Sequence, residues 1–229
     1  MQTFIKFQSS RNMISMVFVD LLTSQLFTTG IAGLLLLYGT TKAYLIFRKA
    51  GKKLSSSVPD IISEMSNSAI PLGFLGLYGL ITALYGQFTW PLPGSYNILY
   101  YDIFALFNVL ILSLAYALLK KNTFELEYIS LFALIFGFVA ILYGANAYSL
   151  SLSTEPLAVL GLYTSFGLAG IFSYPFALIV KKITRAGGTK ITNPQLLLIA
   201  LFWIFLLLGS ALAIFIGGAA VGPHLLKAP

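Results

Sequence analysis

The chain has 229 residues, 58% of them hydrophobic and 9% charged, with a mean hydropathy of +0.89 and a formal net charge of +7. Soluble domains carry charge on about 25% of their residues, so this is the composition of an integral membrane protein. The absence of cysteine excludes disulfides, thiolate metal sites, iron–sulfur clusters and thiol catalysis, and the single histidine, His224, excludes bis-histidine haem ligation within the chain.

Several apolar runs of about 20 residues predict an all-α, polytopic transmembrane helix bundle of about six spans. A barrel would need strands of about 10 residues that alternate in polarity. The longest mostly polar gap, residues 48–67, is too short to bury a core of its own, so residues 1–229 read as a single integral membrane domain.

Lys6 and Arg11 precede an apolar stretch that begins like a secretory signal, but Asp20 interrupts it and no small-x-small cleavage site follows before Gly30. The first span is read instead over about 17–47, longer than a bilayer requires. Gln25, Thr28 and Thr29 give it a polar patch, and Lys42 can snorkel to the interface. It ends at Arg48, Lys49, Lys52 and Lys53, and a loop with Ser55, Ser56, Ser57 and Pro59 leads past Asp60 and Glu64. The second span, about 67–88, carries Gly73, Gly76, Gly79 and Gly86. Glycines three apart bare the backbone on one face, where a neighbouring helix is expected to pack. Pro91 and Pro93 stop this helix, and the turn at Gly94 makes the stretch the tip of a hairpin. Trp90, Tyr96, Tyr100 and Tyr101 are rings of the kind that settle at headgroup depth.

The third span, about 99–119, closes with Lys120-Lys121, and the fourth, about 127–148, follows Glu125 and Glu127. A short loop with Ser149, Ser151, Ser153, Thr154, Glu155 and Pro156 leads to the fifth, about 157–180. Pro175 is its expected kink, and Lys181, Lys182 and Arg185 end it. After Gly187-Gly188, Asn193-Pro194 caps a sixth span, about 194–218.

The loops after spans one, three and five hold Arg48, Lys49, Lys52, Lys53, Lys120, Lys121, Lys181, Lys182, Arg185 and Lys190, whereas those after spans two and four hold no cation. The positive-inside rule makes the cationic loops cytoplasmic and puts both termini and the Trp90 tip outside a cell membrane. The same clustering beside apolar runs accounts for the net charge better than nucleic-acid binding does. Leu84-Tyr85-Gly86, a proline-bearing loop, a span and Lys120-Lys121 are paralleled by Leu142-Tyr143-Gly144, a loop with Pro156, a span and Lys181-Lys182. That order suggests a duplicated hairpin, spans two–three and four–five, both copies pointing the same way.

At Trp90-Pro91-Leu92-Pro93-Gly94-Ser95-Tyr96-Asn97 the chain resembles a family of small archaeal polytopic membrane proteins catalogued as a domain of unknown function. The resemblance implies an archaeal membrane protein with no assigned activity.

Ionisable groups inside a membrane often mark ion or proton paths. Here all seven acids fall near predicted helix N-termini, where dipoles and capping favour them; Asp102 is the one expected to face inward, because it follows the aromatic tip. Gln25 and Asn108 lie nearest the midplane and are expected to make interhelical hydrogen bonds. His224 reads as a surface side chain. Nothing resembles a nucleophile elbow, a phosphate loop or a paired metal motif, so no metal or cofactor is expected. Trp90, Tyr96, Asn97, Tyr101 and Asp102 form a candidate outer-surface site for a quinone or lipid headgroup, and Gly73, Gly76 and Gly79 a helix-packing face.

The leading expectation is a non-catalytic subunit or scaffold that packs against other membrane proteins or itself, with lipids as its other partners and no nucleic acid. A channel or carrier for a small neutral or weakly polar solute is the alternative, if Gln25, Thr28, Thr29 and Asn108 converge on one cavity. A lipid- or quinone-binding protein at the Trp90 surface is the third.

Overall fold

The computed structural model describes residues 21–50, 54–92, 94–121, 125–153, 155–186 and 190–227. Lys6, Arg11, Asp20, Lys52, Lys53, Pro93, Thr154, the Gly187-Gly188 pair and the side chains of Ser55, Ser56, Arg185 and His224 lie outside the described residues. The helices are α1 (Leu21–Ala50), α2 (Leu54–Ser66), α3 (Ala69–Thr89), α4 (Ser95–Asn97), α5 (Ile103–Leu119), α6 (Glu125–Ser149), α7 (Pro156–Ala186) and α8 (Asn193–Lys227). A π-helical turn, Ile98–Asp102, joins α4 to α5, and no strand occurs among the described residues. Six helical segments are long and apolar enough to cross a membrane: α1, α2–α3 from Ser57, α4–α5, α6, α7 and α8.

Two local features differ from expectation. Residues 54–66, read as a loop because of three serines and Pro59, form α2. Val58, Ile61, Ile62 and Met65 recur at helical spacing, and burying Ile61 and Met65 outweighs the single donor that Pro59 lacks near the helix start. Lys42 of α1 pairs with Glu64 of α2 at 3.5 Å on the same side. The cap of α8 is Thr192 rather than Asn193: the Gln195 side chain accepts the Thr192 N–H at 3.0 Å, the reciprocal half of a capping box. α7 runs through Pro175 as one helix.

The packed neighbours are α1–α3, α3–α5, α5–α6, α6–α7, α7–α8 and α8–α1, which closes the helices into a ring, with α2 against α1 and α5. Three antiparallel pairs in this ring repeat one packing scheme. In α3–α5, a Cβ on Gly86 would strike the Tyr101 ring and one on Gly79 the Asn108 amide. In α6–α7, Gly144 meets Tyr163 and Gly137 lies against Gly170; in α8–α1, Gly217 meets Leu26 and Ser210 meets Gly33. Within each helix, counting the π-helical turn that carries Tyr101 together with α5, the two positions are seven residues apart, about two turns on one face. The correspondence extends further: Gly30 approaches Ile214 and the Ser210 carbonyl as Gly167 approaches Ile141 and the Gly137 carbonyl. Small residues at these points let the helix backbones approach closely where lipid offers no hydrophobic drive to associate. The third pair is assembled from the last and first described helices, so the molecule has a pseudo-threefold arrangement of hairpins, one of them split along the chain.

Candidate functional site

Three places in the ring carry side chains that packing alone does not require. The first is the aromatic end. Trp90 caps α3 in the left-handed region, φ 50° and ψ 54°, a strained conformation for a residue with a Cβ, and its N–H donates to the Gly86 carbonyl at 3.1 Å. Asn97 holds this turn: its Nδ2 donates to the same Gly86 carbonyl at 3.2 Å, and its Oδ1 accepts the Leu92 N–H at 3.3 Å. In a regular α-helix the Ile103 N–H would bond to Leu99. Here it turns to the Tyr100 carbonyl, and the Leu99 carbonyl accepts the Tyr163 hydroxyl at 2.6 Å. The π-helical turn thus links two hairpins through a buried hydroxyl.

Asp102 ends that π-turn, eight positions into a helical run that begins at Ser95, and makes no capping bond. Its Oδ1 accepts the Gln87 side-chain amide at 3.0 Å and its Oδ2 accepts the Tyr143 hydroxyl at 3.2 Å. The carboxylate therefore faces α6 across the hairpin boundary. Among the five outer-surface candidates, Trp90 is exposed, Tyr96 is half-buried and stacks on Tyr100 at 6.5 Å, and Asn97 and Tyr101 are buried. Asn97, Tyr101 and Asp102 gather at Gly86–Gln87, while the Trp90 ring lies in the open. Gln87, Tyr143 and Tyr163 complete the cluster and escaped sequence reasoning; only the repeated Leu-Tyr-Gly triplet pointed towards Tyr143.

The second place is a polar seam on α3. The Gln25 amide nitrogen donates to the Thr82 hydroxyl at 3.1 Å, and the Asn108 amide nitrogen donates to the Phe104 carbonyl at 2.7 Å while its head fills the space beside Gly79. Gly79 and Thr82 are one turn apart, so both amides meet the same stretch of α3. Gln25 Oε1, Asn108 Oδ1 and Thr29 Oγ1 are buried with no hydrogen-bond partner among the described residues. The packing glycines lie on this side as well: a Cβ on Gly73 would touch Ala115 of α5, and one on Gly76 would press on Leu112 and Ile111 at 3.0–3.1 Å.

The third place is the interior of the ring, a cavity of about 120 Å³. Its walls come from α1, α5, α6, α7 and α8, with Met65 and Ser68 from the α2–α3 junction. The pseudo-threefold relation passes through it: Leu36, Ile111 and Ser173 face it from equivalent positions, as do Gly39, Leu114 and Phe176. The hydroxyls in its wall belong to Thr40, Ser68, Ser130 and Ser173, and each donates to a carbonyl three or four residues earlier in the chain, at 2.6–2.9 Å. Thr40 also accepts the Trp203 indole N–H at 3.1 Å. With the hydroxyl protons committed to the backbone and the rest of the lining carbon, the interior offers a guest no side-chain donor, and an apolar cavity of comparable size, about 150 Å³ in an engineered protein, stays dry and binds benzene. Sequence reasoning missed these wall residues. Leucine, phenylalanine, alanine and glycine inside a span carry no mark that separates a wall from a packed core.

No group of three or more metal-ligating side chains occurs among the described residues. Residues 16–227 match the family described as "Protein of unknown function (DUF981)", and the chain belongs to that family. No curated protein and no solved structure matches it.

Proposed function

We propose that this member of the DUF981 family is a non-catalytic, multi-pass protein of the cell membrane, with the Trp90 end outside, that binds a hydrophobic chain inside its helical ring. The carrying observation is the central cavity with its self-satisfied hydroxyls. A sealed void of that size would cost about 3 kcal/mol at roughly 24 cal/mol per Å³, an upper bound on what an apolar guest recovers here. A solute path would instead require Gln25, Thr28, Thr29 and Asn108 in the cavity wall, and they are not among its lining residues. The committed hydroxyls likewise favour holding a guest over transforming it.

The chain supplies its own reporter. Its tryptophans are Trp90 at the tip and Trp203, bonded to Thr40 in the cavity wall. Trp90→Phe leaves Trp203 as the sole tryptophan, selectively excited at the red edge of the absorption band, and a short bromoalkane titrated into delipidated protein should quench it saturably at one equivalent. Quenching that rises linearly without saturation would place the bromoalkane in the surrounding detergent and defeat the reading.

A scaffold role is a second reading, favoured by α3, which exposes Phe74, Tyr78, Ile81, Tyr85 and Phe88 along one side. A surface of this kind fits either lipid or a neighbouring protein helix. Native mass measured in nanodiscs distinguishes them: a single chain per disc favours lipid, and a defined oligomer or hetero-complex favours the scaffold.

A further inference from the structure

The cavity is long. Its wall runs along α5 from Phe107 to Leu118 and along α7 from Phe166 to Val180, about 16–21 Å at 1.5 Å per residue. That is between about half and two-thirds of the roughly 30 Å hydrocarbon thickness of a bilayer, somewhat more than one leaflet. On the scale of the benzene-sized cavity, about 120 Å³ accommodates roughly five or six carbons of one chain, a segment of that length rather than the whole of it. Towards the middle of the ring, Phe107 and Phe166 meet edge-on at 5.4 Å beside Gly33.

At the other end a second, smaller cavity of about 30 Å³ follows, and the two share the walls Thr40, Met65, Phe176 and Val180. Met65 sits on α2 and is buried; an unbranched thioether with three rotatable bonds is the most adaptable partition a hydrophobic wall can have. The second cavity's own walls include Phe47, Ile61, Ile183 and Ile191. Arg48 follows Phe47, Lys182 precedes Ile183 and Lys190 precedes Ile191, so this chamber lies at the cationic end. Two cations there are taken, Lys42 by Glu64 and Lys181 by Glu127, and Lys120 lies over the Tyr116 ring at 4.5 Å. Arg48, Lys49, Lys182 and Lys190 are exposed.

We infer that the two cavities form one site for the single chain of an anionic amphiphile, threaded tail-first from the cationic surface past Met65, with its head among Arg48, Lys49, Lys182 and Lys190. The inference rests on the central cavity being a guest site and adds the guest's length, charge and direction. A neutral headless chain would make no use of the cations beside the second chamber, which the positive-inside rule places there in any case. A cationic head would be repelled by it.

The test uses full-length Trp90→Phe protein carrying the short bromoalkane as a quencher of Trp203. Unbrominated competitors then displace it: straight-chain carboxylates of increasing length, and the same chains bearing a trimethylammonium head. Carboxylates should gain affinity several-fold with each lengthening until the site is full, and should exceed the ammonium series by at least about tenfold at low salt, the margin shrinking as salt is added. Ile61→Phe, which fills only the second chamber, should keep bromoalkane binding and abolish the advantage of long chains. Met65→Ala should speed long-chain association. If the bromoalkane binds but displacement depends on neither length nor head charge, the inference falls and the guest-site reading stands. If the bromoalkane itself shows no saturable binding, both fall.

Discussion

Ala133→Leu tests whether the ring interior is a void. Ala133 is buried on α6 and lines the cavity. Its counterpart in the α8–α1 hairpin is Leu206, which lines the cavity too, and in the α3–α5 hairpin it is Leu75. Leucine is therefore already accommodated at two of three equivalent positions. In a membrane a leucine gains little from leaving lipid, so the benefit comes from contacts made where there were none. At roughly 24 cal/mol per Å³ the whole cavity is worth about 3 kcal/mol, and three added carbons filling about half of it should stabilise by about 1.5 kcal/mol. For a chain of this size that raises the melting temperature by about 3–6 °C in lipid-free detergent. The variant should also lose saturable quenching of Trp203 by a bromoalkane. A melting temperature lowered by several degrees would mean overpacking of an interior that has no void, and would refute the reasoning.

Three further outcomes are expected. Gly76→Leu should lower stability by about 1–3 kcal/mol, because its Cβ alone would press on Leu112, Ile111 and the Leu112 backbone nitrogen; an unchanged melting temperature would show that α3 and α5 separate freely there. Asp102→Asn should cost about 1–2 kcal/mol, since an amide cannot accept from both Gln87 and Tyr143 through two oxygens, and a double-mutant cycle with Tyr143→Phe should recover most of that coupling. Because the chain has no native cysteine, Ser95→Cys and Ser153→Cys should react with an impermeant thiol reagent from outside intact cells while Lys120→Cys and Lys190→Cys do not; the reverse pattern would invert the assigned orientation.

The membrane character of the fold was legible because twenty-residue apolar runs bounded by lysine and arginine have few other uses. Residues 54–66 were not, since serine and proline signal a loop locally while the stripe of Ile61 and Met65 becomes decisive only when α1 is there to receive it. Asn97 read as part of a candidate outer-surface site with the aromatic tip, and its amide is what closes that turn. The third hairpin was hidden by its arrangement: Ser210 and Gly217 lie at one end of the chain and Leu26 and Gly33 at the other, so a search for consecutive repeats finds two copies. The cavity was least legible of all, because a void is defined by what six helices fail to fill.

Native mass spectrometry of the wild-type chain, released from nanodiscs formed directly from its own membranes, tests the central claim most directly. The account predicts one retained adduct per chain with the mass of a chain-bearing amphiphile, surviving detergent exchange and absent from Ala133→Leu. A bare wild-type chain, or the same adducts on both proteins, would contradict it.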